Sequence, residues 1–212
     1  MTSLWLMLAG VMVVNLLGAA SPGPAFLVVS RTAIGESRRA GIATGLGVSA
    51  ATVIWAFAAI HGLALLLATA AWLFHLLQAL GALYLLYLGV KVIRHAAEPL
   101  AFAGPAAGVA GRRLSAFQRG FLTNMTNPKV AVFFGSVFAS VYHPGYPEWV
   151  NLAVLLLIAI DEVAWYTIVA LVFSSRPAQA VYTRAKRWID RAFGGFLTLF
   201  GLRLLWNLRL AA

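Results

Sequence analysis

Three charged side chains stand where the sequence is otherwise nearly free of charge, and they limit the chemistry open to the chain. Lys129 follows Asn127-Pro128, and Asp161 and Glu162 are neighbours inside a long apolar run. At the centre of a membrane helix such a charge costs roughly 2.5 to 3.5 kcal/mol on insertion scales, so it is retained for function or for pairing. A lysine there meets an anionic group. A buried carboxyl exchanges protons and, when ionised, holds an ammonium. Lys129 with an acid therefore suits a zwitterion. Asp161 is the stronger candidate to face a cavity, because it shares a helical face with Trp165 four residues on, while Glu162 points about 100° away. Both acids are candidates for proton coupling. The structural alternative is an ion pair between Lys129 and one of them, joining two helices.

Two proline motifs flank this chemistry. Ser21-Pro22-Gly23-Pro24 interrupts an uncharged apolar run. Each proline lacks an amide donor and clashes with the carbonyl four residues back, so the carbonyls of Gly18 and Ala20 lose their helical partners. In hydrocarbon those groups must be satisfied by protein, water or ligand, and a break here is expected to face a cavity. The half-helix after Pro24 would offer the amides of Ala25, Phe26 and Leu27 to a carboxylate. The simpler alternative is a plain proline kink. In Asn127-Pro128-Lys129 the asparagine can cap, the proline suits the first helical position, and a helix restarts with Lys129 at its positive end. The substrate-binding candidates are thus Ser21, Pro22, Gly23, Pro24, Asn127, Pro128, Lys129, Asp161, Trp165 and Trp55.

The elements that must position these residues are membrane helices. Of the 212 residues 62% are hydrophobic and only 10% charged, with a mean hydropathy of +0.87, against about 25% charged in soluble proteins. No Asp, Glu, Lys or Arg precedes Arg31, and none lies between Ala40 and Val90. A span needs about 20 apolar residues. Charge-poor runs place six helices near Leu4 to Ser30, Gly41 to Leu67, Ala70 to Ile93, Gly120 to Val141, Trp149 to Ser174 and Trp188 to Leu208. The sixth is the weakest, since it carries Asp190, Arg191 and Arg203. Gly18-Ala19-Ala20 resembles a signal-peptide cleavage site, but no positive segment precedes it and the apolar run continues, so a retained first helix is expected.

The +10 net charge falls in the odd loops. The first holds Arg31, Arg38 and Arg39, the third Lys91, Arg94, Arg112, Arg113 and Arg119, and the fifth Arg176, Arg184, Lys186, Arg187 and Arg191. The positive-inside rule then makes these loops cytoplasmic and puts both termini outside, with Arg209 dissenting. A basic excess placed this way points to a membrane rather than to nucleic acid.

The halves also resemble each other. Leu88-Gly89-Val90-Lys91 matches Phe200-Gly201-Leu202-Arg203, Trp55 matches Trp165, and Pro22 matches Pro128. Three spans per half force opposite orientations, which is a transporter arrangement with its site near the midplane. The expected fold is an all-α integral membrane protein of about six transmembrane helices, built as two inverted three-helix repeats with proline-broken helices 1 and 4. It forms a single domain, 1–212, with repeats 1–95 and 116–212 joined by a flexible cytoplasmic linker, 96–115.

Ser21 to Pro24, Asn127 to Lys129, the Gly-rich second helix (Gly41, Gly45, Gly47) and the Gly-Val-Lys ending of helix three occur here in order, over essentially the whole chain. In this the sequence resembles the LysE/RhtB family of bacterial amino-acid exporters. The resemblance implies a multi-pass protein of the bacterial inner membrane that exports an amino acid or close analogue, driven by the proton gradient and needing no cofactor.

The remaining motifs are structural in this reading. Trp5, Trp72, Trp149 and Trp206 fit an interfacial belt, whereas Trp55 and Trp165 lie mid-span, where packing or a cation–π contact to a substrate ammonium is open to them. His61 is expected to be a hydrogen-bonded helix residue, and His75 and His143 to lie near the outer surface. Gly41, Gly45 and Ser49 form a small-residue stripe for close helix approach, within the subunit or in a homodimer. Asn124-Met125-Thr126 fits a glycosylation pattern but falls in the membrane. No phosphate-binding Gly-x-x-x-x-Gly-Lys loop, zinc-binding His-Glu-x-x-His or Gly-x-Ser-x-Gly elbow occurs, and there is no cysteine, which disfavours an ATP-driven pump or a membrane enzyme. A channel or exporter for another small cation, with the carboxylates as ligands, is the other alternative.

Overall fold

The computed structural model describes residues 2–20, 22–98, 114–141 and 146–211. Ser21, His143 and most of the expected linker lie outside them. The described residues are all-helical: α1 (Thr2–Ala20), α2 (Pro24–Gly35), α3 (Arg38–Thr69), α4 (Ala71–Arg94), α5 (Ala116–Met125), α6 (Pro128–Val141), α7 (Glu148–Phe173) and α8 (Arg176–Ala211). Both proline motifs interrupt their helices, so the plain-kink alternative does not hold. Met7–Ala20 and Pro24–Gly35 meet at a 59° bend.

Arg38–Gly62 and Glu148–Phe173 are long and apolar enough to cross a bilayer, and the bent α1–α2 pair would make a third span. Large apolar side chains face outward all round: Trp5, Leu65, Trp72, Ile160 and Leu199 are each more than 60% exposed. Polar side chains do the opposite, with Asn15, Thr52, Asn124 and Glu162 buried. That inversion is what a multi-pass membrane protein requires, because lipid accepts apolar surface while polar groups must find partners inside.

α3 sits centrally, against α2, α5 and α7; α1 and α2 rest on α7, and α4 runs along α8. The glycines explain the closeness. A Cβ at Gly120 would meet the carbonyl oxygen of Thr44, and one at Gly47 that of Phe117, so α3 and α5 touch backbone to backbone. Gly41 and Gly45 turn to Ala33 and Tyr166, placing the small-residue stripe inside the subunit.

Two expectations change. α8 starts at Arg176 rather than near Trp188, so most of the fifth loop's basic residues lie on a helical extension. Pro177 permits this, because in the first turn its missing donor is not needed. His61 is exposed and lies against Phe57, ring centroids 4.3 Å apart and planes tilted by 50°, with no hydrogen bond among the described residues, because this face of α3 looks away from the core.

Candidate functional site

The end of α1 is held by three donors from three other helices. Gly18 and Ala20 lose their helical partners because Pro22 and Pro24 carry no N–H, and Ala19 loses its own because Gly23 leaves the helix in an extended conformation. The Gly18 carbonyl accepts from Lys129 Nζ at 3.4 Å, that of Ala19 from Trp165 Nε1 at 3.1 Å, and that of Ala20 from the Tyr182 hydroxyl at 3.5 Å. α6, α7 and α8 thus converge on one break. Tyr182 is fixed by Phe26, stacked at 4.8 Å, and by Phe173, edge-on at 4.9 Å. On the far side Gly23 is extended at φ −133° and its carbonyl takes the Leu27 amide at 2.9 Å. The expectation that Leu27 offers a free amide therefore fails, and the first-turn donors of α2 are Ala25 and Phe26.

The second break is built as its residues predict. Asn127 Oδ1 accepts the Lys129 amide at 3.1 Å, with Pro128 between them as the first residue of α6. The Lys129 side chain then crosses to α1, its Nζ 4.9 Å from the Phe193 ring centroid. Lys129 makes no ion pair among the described residues, so the structural pairing with Asp161 or Glu162 is not formed. The acids whose fields it feels are Asp190 and Glu162.

Beside it lies a buried polar network. Asn15 donates to Asp161 Oδ2 at 2.7 Å and to Glu162 Oε1 at 3.3 Å, so two neighbouring carboxylates share one amide. Thr52 Oγ1 donates to Glu162 Oε2 at 2.9 Å and accepts from Asn124 Nδ2 at 2.8 Å. Asn124 lies 109 residues after Asn15 and Glu162 lies 110 after Thr52; these offsets fall within the range of the sequence repeat.

Two cavities meet at this point. The smaller, about 40 Å³, is lined by Asn15, Thr52, Asn124, Glu162 and Lys129; at roughly 10 to 15 Å³ per water it holds about three. The larger, about 450 Å³, is an open vestibule lined by Pro22, Pro24, Pro128, Lys186 and Asp190. Gly23, Asn127 and Lys129 line both, and so form the wall between them.

Of the sequence candidates, Pro22, Gly23, Pro24, Asn127, Pro128 and Lys129 come together here. Glu162, rather than Asp161, lines the smaller cavity, where Thr52 as well as Asn15 donates to it, while Asp161 has Asn15 alone among the described residues. Trp165 serves the Ala19 carbonyl. Trp55 is not brought to either cavity; it packs on the apolar cluster around Phe133 and Ile158. Sequence reasoning missed Asn15, Thr52, Asn124 and Tyr182. Asn15 was detectable, as the lone polar side chain between Leu4 and Ala20.

Comparison with known proteins gives a consistent picture. The chain is 35% identical over 199 residues to the threonine efflux protein of Escherichia coli K12, covering 92% of this chain and 95% of that protein. It is 33% identical over 197 residues to the threonine efflux protein of Salmonella typhi, with the same two coverages. A leucine efflux protein of Salmonella choleraesuis is 34% identical over 135 residues, 63% of this chain and 60% of that one. No solved structure matches. Residues 16–208 match the LysE type translocator family, and the chain belongs to that family, one of transporters and not of enzymes.

Proposed function

We propose that this protein exports a small amino acid from the bacterial cytoplasm in exchange for protons. The observation that carries the reading is the wall between the two cavities, made by both proline breaks and by Lys129. The similarity to threonine efflux proteins makes L-threonine the first substrate to try.

In this reading α1–α2, α3, α4, α5–α6, α7 and α8 are six spans in two inverted repeats. The polar network supports the symmetry, since Asn15 and Thr52 of the first half have their counterparts in Asn124 and Glu162. Helix contacts support it too: α1 on α7 corresponds to α5 on α3, and α2 on α7 to α6 on α3. The vestibule is bordered by Lys91 and Lys186, which belong to the basic odd loops, so it opens to the cytoplasm and the termini lie outside.

The substrate carboxylate displaces the Gly18 carbonyl as the partner of Lys129, because a charged acceptor outcompetes a neutral one already at 3.4 Å. The amides of Ala25 and Phe26 add a helix N-terminus. The substrate ammonium is exchanged for a proton at the Asp161–Glu162 pair, whose carboxylates share the Asn15 amide.

The test is transport in proteoliposomes. Labelled L-threonine should exchange in counterflow, and a proton gradient should accelerate its net efflux. Asp161→Asn and Glu162→Gln should keep exchange but lose the acceleration. Chemical turnover of the substrate, or variants that follow the gradient as wild type does, would refute the assignment. Single cysteines at Ser3 and Tyr146 should label from outside and one at Ser115 should not; the reverse pattern overturns the orientation.

A further inference from the structure

The vestibule contains a charge pair that the mechanism above does not use. Lys186 Nζ lies 2.8 Å from Asp190 Oδ2, with the side chains only 9% and 5% exposed. Lys186 also donates to the carbonyls of His95 and Ala96, at 3.4 Å each, where α4 ends. The lysine is therefore well supplied with acceptors. Asp190 is not equally supplied with donors, since its Oδ1 is buried and receives no hydrogen bond from the described residues. A buried carboxylate oxygen without a donor is costly, and native proteins seldom keep one without a use.

The position of Asp190 supplies the use. It lines the same vestibule as Lys129, and the two feel each other's charge. They belong to α8 and α6 and line the same 450 Å³ space, which lies within the range of small-molecule pockets. One cation and one under-supplied anion lining one cavity match an α-amino acid at both ends. A simple anion would use the lysines alone.

We propose that Asp190 is the ammonium-recognising residue of a loading site in the vestibule, where the amino acid binds between Asp190 and Lys129 before it reaches the Glu162 cavity. This rests on the exporter reading above and adds a specificity determinant to it. Lys186 acts as a positioning residue: it holds Oδ2, so that Oδ1, the oxygen left without a donor among the described residues, is the one that takes the ammonium when Asp190 turns toward the vestibule it lines. Selection for the amino group then takes place at the entrance, ahead of the proton-coupled step.

The experiment compares L-threonine with 3-hydroxybutyrate, the same molecule without its amino group, as ligands of purified protein in nanodiscs. Wild type should bind threonine in clear preference. Asp190→Asn should weaken threonine binding by roughly 30-fold or more, the scale of removing one partner from a desolvated charge pair, and leave 3-hydroxybutyrate within about twofold. The double variant Lys186→Met with Asp190→Met removes both charges together and should show the same selective loss, so a folding defect from an unpaired lysine cannot mimic the result. Equal weakening of both ligands, or unchanged threonine binding in either variant, overturns the proposal and leaves the exporter reading standing. Wild-type protein that binds no amino acid overturns both.

Discussion

Replacing Lys129 by methionine separates a lysine kept for substrate from one kept for the fold. Methionine preserves the length of the chain and removes the charge. On the folding side three terms change. The hydrogen bond to Gly18 is lost, but at 3.4 Å it is a long one, at the weak end of about 0.5 to 1.5 kcal/mol. The contact with the Phe193 ring at 4.9 Å contributes about 0.5 to 1 kcal/mol. Against these, the variant no longer holds in the membrane an ammonium that has no ion-pair partner among the described residues, a saving that for buried charges commonly equals or exceeds the loss. The orphaned Gly18 carbonyl lines the smaller cavity, which has room for water to replace the lysine. Net stability should change by no more than about 1 kcal/mol. On the binding side the loss is of another size: a desolvated carboxylate deprived of its cation costs about 2 to 5 kcal/mol, a weakening of roughly 30-fold to several thousand-fold. The measurements are a thermal midpoint in detergent and threonine binding on the same sample. A midpoint near wild type with binding lost is the expected result. A collapsed midpoint, or binding within threefold of wild type, would show that Lys129 serves the fold and refute its assignment to the substrate.

The other predictions concern the scaffold. Gly120→Ala drives a methyl group into the Thr44 carbonyl, and because backbone lies on both sides α3 and α5 must part; the thermal midpoint should drop by the equivalent of about 1 to 3 kcal/mol, while Gly10→Ala, which meets nothing within 4 Å, leaves it unchanged. Trp165→Phe keeps the ring and removes the donor to Ala19, costing about 1 kcal/mol; a midpoint equal to wild type would mean that this carbonyl is satisfied otherwise. Between the loops, Arg119 grips Glu36 with both terminal nitrogens, at 2.6 Å and 2.7 Å, and the hydrogen bond chiefly, with the opposite charge, holds the Glu36 carboxyl below its ordinary value of 4.5. A depressed acid stabilises the fold above that ordinary value and ceases to do so as pH falls through its own lower one. The pair is largely solvated, so its contribution is about 0.5 kcal/mol. The difference in midpoint between wild type and Glu36→Gln should be constant from pH 6 to pH 8, to about half a unit at each end, and close as the solution is acidified below 4.5; a difference that grows on acidification contradicts the assignment.

How far the site could be read in the sequence depended on whether a residue acts through its own backbone or through distant neighbours. Pro22, Pro24 and Pro128 act on the turn that precedes them in their own helix, and both breaks fall where local chemistry requires. Asn127 capping Lys129 is local for the same reason. The partners that satisfy the freed carbonyls are not local: Tyr182 lies 162 residues from Ala20, and no periodicity connects them. The preference for Asp161 over Glu162 failed as a cavity assignment for a related reason. Helical phase tells which residues share a face, but the face that meets a void is decided by how α7 sits on α1 and α3. There Thr52 and Asn15 draw Glu162 inward, and Asn15 holds Asp161 against α1. The start of α8 was misplaced because charge-poor runs report lipid contact rather than helix length, and the basic turns from Arg176 onward are helical without being apolar.

The proposed repeat gives this arrangement a further meaning. By the proline offset of 106 residues Lys129 corresponds to Gly23, and by the offset of 110 that also relates Trp55 to Trp165, Glu162 corresponds to Thr52. In each case the second half carries the charge and the first half an uncharged residue at the matching position, while Asn15 and Asn124 keep the hydrogen-bonding frame alike on both sides. A carrier needs its two access states close in energy, which matched helix contacts in opposed halves provide. It also needs one set of charges rather than two, since a duplicate lysine and acid at the other break would neutralise the first set in the absence of substrate. Gly23 is the clearest instance: a long side chain there would fill the wall that Lys129 now spans, and its cation would compete for the same carboxylate. In the proposed repeat the symmetry therefore lies in the frame and the asymmetry in the charges, and it is the second that leaves Lys129 without an acidic partner among the described residues and, in the proposed mechanism, open to a substrate carboxylate.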